Sequence, residues 1–231
     1  MVTFLLRNRR ELSECVWLNT FLNDVKCVPG SIWYDDFRKM FRIPKSMFDE
    51  ILQQTRDSGL FPDERRKSDR GKPPAIPLGL KVLACLRVLA LGTPFDALSI
   101  ESCCSGSCLQ NFFHKWMRWY KVTYYDITVH PPRNEEEVKN AESLYRLCGF
   151  PACLSSMDGV HVAWDMCPAM EKHLHKGKED YPTLVVNVHV GNNKFIYSVT
   201  KMFPGAMNDK SIVRFDQFCE VCHSFIRSFI Y

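Results

Sequence analysis

Residues 155–209 read SSMDGVHVAWDMCPAMEKHLHKGKEDYPTLVVNVHVGNNKFIYSVTKMFPGAMND. Two runs inside this stretch, 183–191 and 195–203, are rich in Val, Ile, Phe and Tyr, and Asn192-Asn193 joins them. β-Branched and aromatic runs around a turn that tolerates positive φ predict a hairpin. Asp158 lies upstream in an apolar, strand-like run over 153–164, and Asp209 follows the break at Pro204-Gly205. Three strands are thus expected before Asp209.

A carboxylate in the middle of a buried strand is costly unless a positive group meets it. A divalent cation is the simplest remedy, and Mg²⁺ takes one or two carboxylates together with substrate phosphate. Asp158 and Asp209 at the ends of neighbouring strands have that chemistry. A plainer reading has Asp158 capping a turn at Gly159 and Asp209 opening a helix through Asn208-Asp209-Lys210-Ser211. Spacing alone leaves both readings open. His161, three residues past Asp158, is expected on the opposite strand face as a core or supporting residue. His173-x-His175 lies in a polar Lys- and Glu-rich stretch and is expected in an exposed loop, although alternate histidines on an extended chain can chelate a metal.

The chain resembles the catalytic domain of PIF/Harbinger-type DNA transposases, in particular their plant-transposon subgroup. The resemblance rests on Asp158 with His161, Trp164, Cys167-Pro168, Tyr181-Pro182, Pro204-Gly205 and Asn208-Asp209. It extends upstream through 37–42, 47–52 and 83–92, covering roughly residues 33 to 218. It implies an RNase H-like fold, a triad of acids and two divalent ions, Mg²⁺ or Mn²⁺. Asp158 would be the first catalytic and metal-binding acid and Asp209 the second, near the end of a fourth strand. It also implies metal-dependent cleavage and strand transfer of DNA, a nuclear location (cytoplasmic without a partner) and a separate Myb-like DNA-binding partner. The third acid has no match: Glu220 follows Asp216, but its setting Phe-Cys-Glu-Val-Cys-His differs from the family's third motif. The expectation is a shortened catalytic domain with little or no activity, or a non-catalytic DNA-binding scaffold.

Helical signals dominate upstream. Leu12, Val16, Leu22 and Val25 recur near a 3.6-residue period and predict a helix over 9–28. Ser31 suits the cap of a second helix striped by Phe37, Met40 and Phe41. Pro44 suits the first position of a third, striped by Met47, Phe48, Ile51 and Leu52. Residues 62–77, PDERRKSDRGKPPAIP, have no periodicity and four prolines. They read as a solvated linker, as a phosphate-tracking or nuclear-import segment built on Arg65, Arg66, Lys67, Arg70 and Lys72, or as both.

Residues 78–91 form a helix apolar nearly all round, which predicts a central position in a bundle. Gly92 stops it, and Thr93-Pro94-Phe95-Asp96 starts a short helix ending near Glu101. Ser107 with Gln110 makes a capping box for a helix over 108–120. Its polar face carries Gln110, Asn111, His114, Lys115 and Arg118. A short helix, a turn and a helix with a basic outer face is the layout of a helix-turn-helix. Asn and Gln suit adenine edges, and Lys and Arg suit phosphate. The plainer alternative is a helical bundle with an ordinary wet face; the resemblance, which implies a helix-turn-helix-like region here, favours DNA contact. Asn134 caps a further helix whose Glu135, Glu136 and Glu137 complement its dipole.

The expected architecture is α+β. Helices over 1–61 and a basic Pro-rich linker over 62–77 lead into a helix-turn-helix-like region over 78–125. A partial RNase H-like α/β catalytic domain follows over 134–231. With 231 residues, 46% apolar, the chain has material for a core rather than for disorder. The net charge of +4 is compatible with nucleic acid without establishing it. Eleven cysteines without disulfide spacing, and no apolar run of membrane-spanning or signal-peptide length, point to a reducing compartment and no membrane. Cys219-Glu220-Val221-Cys222-His223 has the form of a haem attachment motif, but that chemistry requires export. Cys219 and Cys222 also suit zinc, with distant ligands such as Cys103, Cys104 or His223.

Overall fold

The structure is a computed structural model, described here over residues 12–62 and 75–220. It is α+β and divides into two compact units, Met1–Trp119 and Tyr120–Tyr231. Most of the basic linker, including Arg65, Arg66 and Lys67, lies outside the described residues.

The first unit is helical: α1 (Val16–Asn19), α2 (Ile32–Phe41), α3 (Lys45–Asp57), α4 (Leu78–Leu91), α5 (Phe95–Ser102) and the start of α6 (Gly106–Thr128). The long helix expected over 9–28 does not form. Among the described residues it is a 3₁₀ turn at Leu12–Glu14, the single turn α1, and a series of turns. Short polar side chains break it. Asn19 Nδ2 donates to Ser13 O, Thr20 Oγ1 to Val16 O, and Asn23 Oδ1 accepts from the Val25 and Lys26 N–H groups. Such local bonds give the backbone an alternative to the helical ladder.

Ser31 caps α2, its hydroxyl accepting from the Tyr34 N–H. Pro44 and Pro94 sit one position earlier than expected, as the N-caps of α3 and α5 rather than as their first residues. Trp17, Phe21, Phe37, Phe41 and Phe48 form an aromatic core, with ring centroids 5.5 Å apart for Trp17–Phe41 and 4.7 Å for Phe37–Phe41. The central position expected for α4 holds: Leu78, Leu80, Val82, Leu83 and Leu86 are all buried, and Gly92 ends the helix in the left-handed region. Trp116 of α6 is fully buried, and its indole N–H donates to Thr55 Oγ1.

The second unit holds the rest of α6, then α7 (Glu135–Leu147), β1 (Ser156–Ala163), α8 (Lys172–His175), β2 (Thr183–Val190), β3 (Ile196–Val199), β4 (Phe203–Pro204) and α9 (Asp209–Val213). Asn134 caps α7 by accepting from the Glu137 N–H. Past α7, the Ala152 N–H donates to Glu142 Oε1. That bond, reinforced by Arg146, holds the Glu142 carboxyl below its ordinary range. It also pins the positive-φ residue Ala152 on the approach to β1.

The sheet is antiparallel, ordered β1-β2-β3. The expected hairpin is present, but its return strand is broken. β3 pairs the far end of β2, and β4 pairs the near end through Leu184↔Pro204 and Val185↔Phe203. Four strands therefore precede Asp209, not three. The positive φ of the hairpin turn falls on Lys194 rather than on Asn192 or Asn193. The Lys194 N–H donates to Gly191 O and Asn193 Oδ1 accepts from the Phe195 N–H, so a β-turn closes before the left-handed residue.

β2 alternates buried and half-buried along its whole length, with Thr183, Val185, Asn187 and His189 in the buried phase. Val185 packs with Phe203 and Ile212 in one cluster; Ala141, Leu154, Tyr197 and Phe218 form a second. Tyr145 of α7 ties the sheet's end, its hydroxyl 2.9 Å from Ser156 Oγ and donating to Val190 O.

Leu80 is fully buried and Val122 is 83% exposed. Leu80→Ala is expected to cost about 2–5 kcal/mol. Val122→Ala is expected to stay within about 0.5 kcal/mol. Urea unfolding midpoints of the full chain check the contrast; equal midpoints would remove α4 from the core.

Candidate functional site

Asp209 approaches Gly159, the residue after Asp158 on β1. A Cβ placed on Gly159 would lie 3.5 Å from Asp209 Oδ1 and 3.7 Å from Asn187 Oδ1. The bare glycine thus leaves a shallow cradle in β1 under two oxygen donors. Asp209 reaches it as the first residue of α9, behind the Asn208 cap whose Oδ1 accepts from the Ser211 N–H. That is the helix start seen in the sequence.

Asp158 is the neighbouring residue on β1, and successive strand side chains leave opposite faces. Gly159 pairs Asn187 in the buried phase of β2, whereas Asp158 pairs the half-buried Val188. Asp209 therefore lies on the Gly159 face of β1, and the Asp158 side chain leaves the other face.

The premise that Asp158 sits in a buried strand is corrected. β1 pairs only with β2 among the described strands, and Asp158 is exposed, as are Val160 at 43% and Val162 at 44%. An exposed carboxylate carries no burial cost for a cation to offset.

The segment that delivers Asp209 is clamped. The Gly205 N–H donates to Thr183 O at 2.9 Å. A Cβ on Gly205 would overlap Thr183 Oγ1 and stand 2.7 Å from the carbonyl oxygens of His175 and Thr183. His161 lies on the Gly159 face, its Nδ1 3.0 Å from Thr183 Oγ1. The exposed loop expected for His173-x-His175 is instead the helical turn α8, with His175 buried, its Nδ1 3.2 Å from Thr183 O and its ring edge-on to Trp164.

On α6, Gln110, Asn111, His114, Lys115 and Arg118 are all exposed. Their spacing places them along one stripe. Leu109 and Trp116 face the other way into the core. From Gly106 to Tyr125 the helix has no acidic residue. Three residues connect α5 to α6, fewer than the sequence implied, because α6 begins at Gly106 and Ser105 replaces Ser107 in the capping role. A Cβ at Gly106 would run into Asp96 of α5, so glycine permits this tight turn. The helix continues to Thr128, past the expected end at Tyr120.

A third grouping was missed in the sequence. His189 and Asp216 are 3% and 0% exposed, and His189 Nε2 lies 2.8 Å from Asp216 Oδ2. The ligand atoms of His189, Asp216 and Cys219 all lie within 4.8 Å of one another. Burial, and secondarily the Asp216 charge, pushes the Cys219 thiol up from its ordinary pKa. The sequence joins Cys219 to Cys222 with distant ligands such as Cys103, Cys104 or His223; Cys222 and His223 lie outside the described residues. The readable signal was a polar residue, His189, on the buried phase of an alternating strand.

Residues 130–224 match the family model described as plant transposon protein, a span containing both acids. This supports a transposon-derived origin. No curated protein and no solved structure matches the chain. No described helix is long and apolar enough to cross a membrane.

Gly205→Ala is expected to destabilise the protein by about 1–3 kcal/mol, as overpacking does. A thermal melt unchanged from wild type would show that the turn into Asp209 is not clamped as described.

Proposed function

We propose that this chain is a Harbinger-like, transposase-derived protein that binds DNA through α6 and does not cleave it unaided. The observation carrying this reading is the exposed stripe of Gln110, Asn111, His114, Lys115 and Arg118 on a helix without acidic residues from Gly106 to Tyr125. Lys115 and Arg118 neutralise phosphates and supply salt-dependent affinity. Gln110 and Asn111 lie in the first two turns, where amide side chains can pair adenine edges in the major groove. Arg65, Arg66 and Lys67 of the linker add to the phosphate contacts in this proposal.

In an RNase H-like reading, Asp158 and Asp209 are the inherited acids. Their hard oxygens suit Mg²⁺ or Mn²⁺. Asp209 Oδ1 and Asn187 Oδ1 flank the Gly159 cradle on one side of β1, whereas the pleat sends Asp158 to the other. This arrangement does not fit one shared pocket. Asp209 and Asn187 are the residues that would hold an ion on the cradle side.

A gel-shift titration of the full chain on a duplex between about 50 and 200 mM salt tests the reading. Binding is expected to weaken steeply with salt, and Lys115→Ala and Arg118→Ala are each expected to lower the salt slope by about 1. Binding that ignores salt, or variants with unchanged slopes, would sink the α6 interface. Mg²⁺-dependent nicking of the duplex, abolished by Asp158→Asn, would instead overturn the absence of cleavage.

A further inference from the structure

We propose that His189, Asp216 and Cys219 form a binding site for a thiophilic divalent cation of the zinc class, separate from the Asp158–Asp209 region. Three elements bring the donors together. The alternation of β2 turns His189 inward with Asn187 and Val185. The chain leaves α9 and stops at Asp216, whose Oδ1 accepts the Phe218 N–H at 3.0 Å. That bond fixes the carboxylate and leaves Oδ2 facing His189 at 2.8 Å. Residues 217–220 are helical, so Cys219, three positions on, returns to the same side as Asp216.

The distances suit one ion. Zinc sits about 2.0–2.2 Å from nitrogen and oxygen ligands and about 2.3 Å from thiolate, so its tetrahedral ligands lie about 3.4–3.6 Å apart. The three donor atoms lie within 4.8 Å, and side-chain rotations close the remainder. The donor set selects the metal. One imidazole, one carboxylate and one thiolate suit zinc, whereas Mg²⁺ and Ca²⁺ prefer oxygen alone.

The surroundings are those of a built site. Ser155 Oγ lies 3.3 Å from His189 Nδ1, where it can accept the ring proton and free Nε2 for the ion. Such outer partners fix the tautomer of metal-binding histidines. The Phe218 ring lies 4.4 Å from the His189 ring, centroid to centroid, with Tyr197 stacked beyond it. On binding, the ion replaces the hydrogen bond between His189 and Asp216, and the ring proton moves by exchange with solvent from Nε2 to Nδ1, where Ser155 Oγ accepts it. Cys219 gives its thiol proton to solvent, and its sulfur becomes the third ligand.

The test uses the reduced full chain, stripped with a chelator and titrated with Co²⁺ as a coloured stand-in for Zn²⁺. Wild type is expected to take up one ion with thiolate-to-cobalt charge-transfer absorption, and Zn²⁺ is expected to raise its Tm. Cys219→Ser is expected to lose that absorption. His189→Gln and Asp216→Asn are each expected to weaken binding about tenfold or more. Cys108→Ser, at an exposed thiol on α6, is expected to change nothing. If the buried variants fail to fold, Cys219→Ser carries the test, since Cys219 is only half-buried. Folded, stripped wild type that takes up no Co²⁺ would overturn the proposal. So would a Cys219→Ser protein with undiminished charge-transfer absorption.

Discussion

The two-residue period of β2 governs the second unit. Its buried phase is not purely apolar: Val185 shares it with Thr183, Asn187 and His189, all at 3% exposure or less. Each buried polar group must find a partner or carry a desolvation cost. Thr183 meets His161 and supports the Gly205 turn through its carbonyl. Asn187 donates its side-chain Nδ2 to Met157 Sδ, while its backbone N–H donates to Thr200 Oγ1 and its carbonyl accepts from the Thr200 N–H, holding the chain between β3 and β4. His189 meets Ser155 on one side and Asp216 on the other. The broken return strand, the clamp ahead of α9 and the placement of Asp216 are thus all tied to one strand's inward face. A one-residue slip of β2 would send all three polar residues to the half-buried phase and undo these bonds together.

The elements legible in the sequence had strong local signals. The Ser31 and Asn134 caps, the apolar run of α4 with its Gly92 stop, and the Val-rich hairpin read directly. Elsewhere a local signal met a competitor of similar size. The apolar period over 9–28 was real, but Asn19, Thr20 and Asn23 could bond their own backbone, and the helix fragmented. Ser107 with Gln110 fitted a capping box, yet Ser105 took the role because Gly106 lets α6 start directly against Asp96. The apolar run around Asp158 read as a buried strand because composition does not reveal which strand lies at an edge. Its exposure depends on what pairs with β1, and that information is non-local. The His189–Asp216–Cys219 grouping joins β2 to a helical turn 27 residues from His189, a separation that no local pattern encodes.

The two units call for different physical accounts of function. α6 offers a surface: exposed amides and cations, a buried opposite side and no carboxylate before Asp126. Interactions of this kind are individually weak, screened over about a Debye length, and additive along a polyanion. They require no cavity and little preorganisation. A two-ion nuclease site is the reverse case. It needs acids from separate elements held on one ion pocket to within about 0.5 Å, and the alternation between Asp158 and Gly159 works against that.

The buried histidine–aspartate pair explains how the second unit can fold with or without a cation. Asp216 is fully buried, a position that would be costly for an unpartnered carboxylate. Here Oδ1 receives the Phe218 N–H and Oδ2 meets the His189 ring, so the carboxylate is already satisfied. A cation would exchange the ring contact for two shorter metal bonds and recruit the Cys219 sulfur. Metal binding would then add to stability instead of creating the fold, unlike small zinc modules that are unfolded without their ion. Because Val185, Phe203 and Ile212 pack β2 against α9, and Phe218 packs the turn beyond it with Ala141, Leu154 and Tyr197, the donors are held near one another by contacts that owe nothing to the ion. Preorganisation of that kind lowers the ordering cost of binding, and it is why three side chains so distant in sequence can act as one chelate.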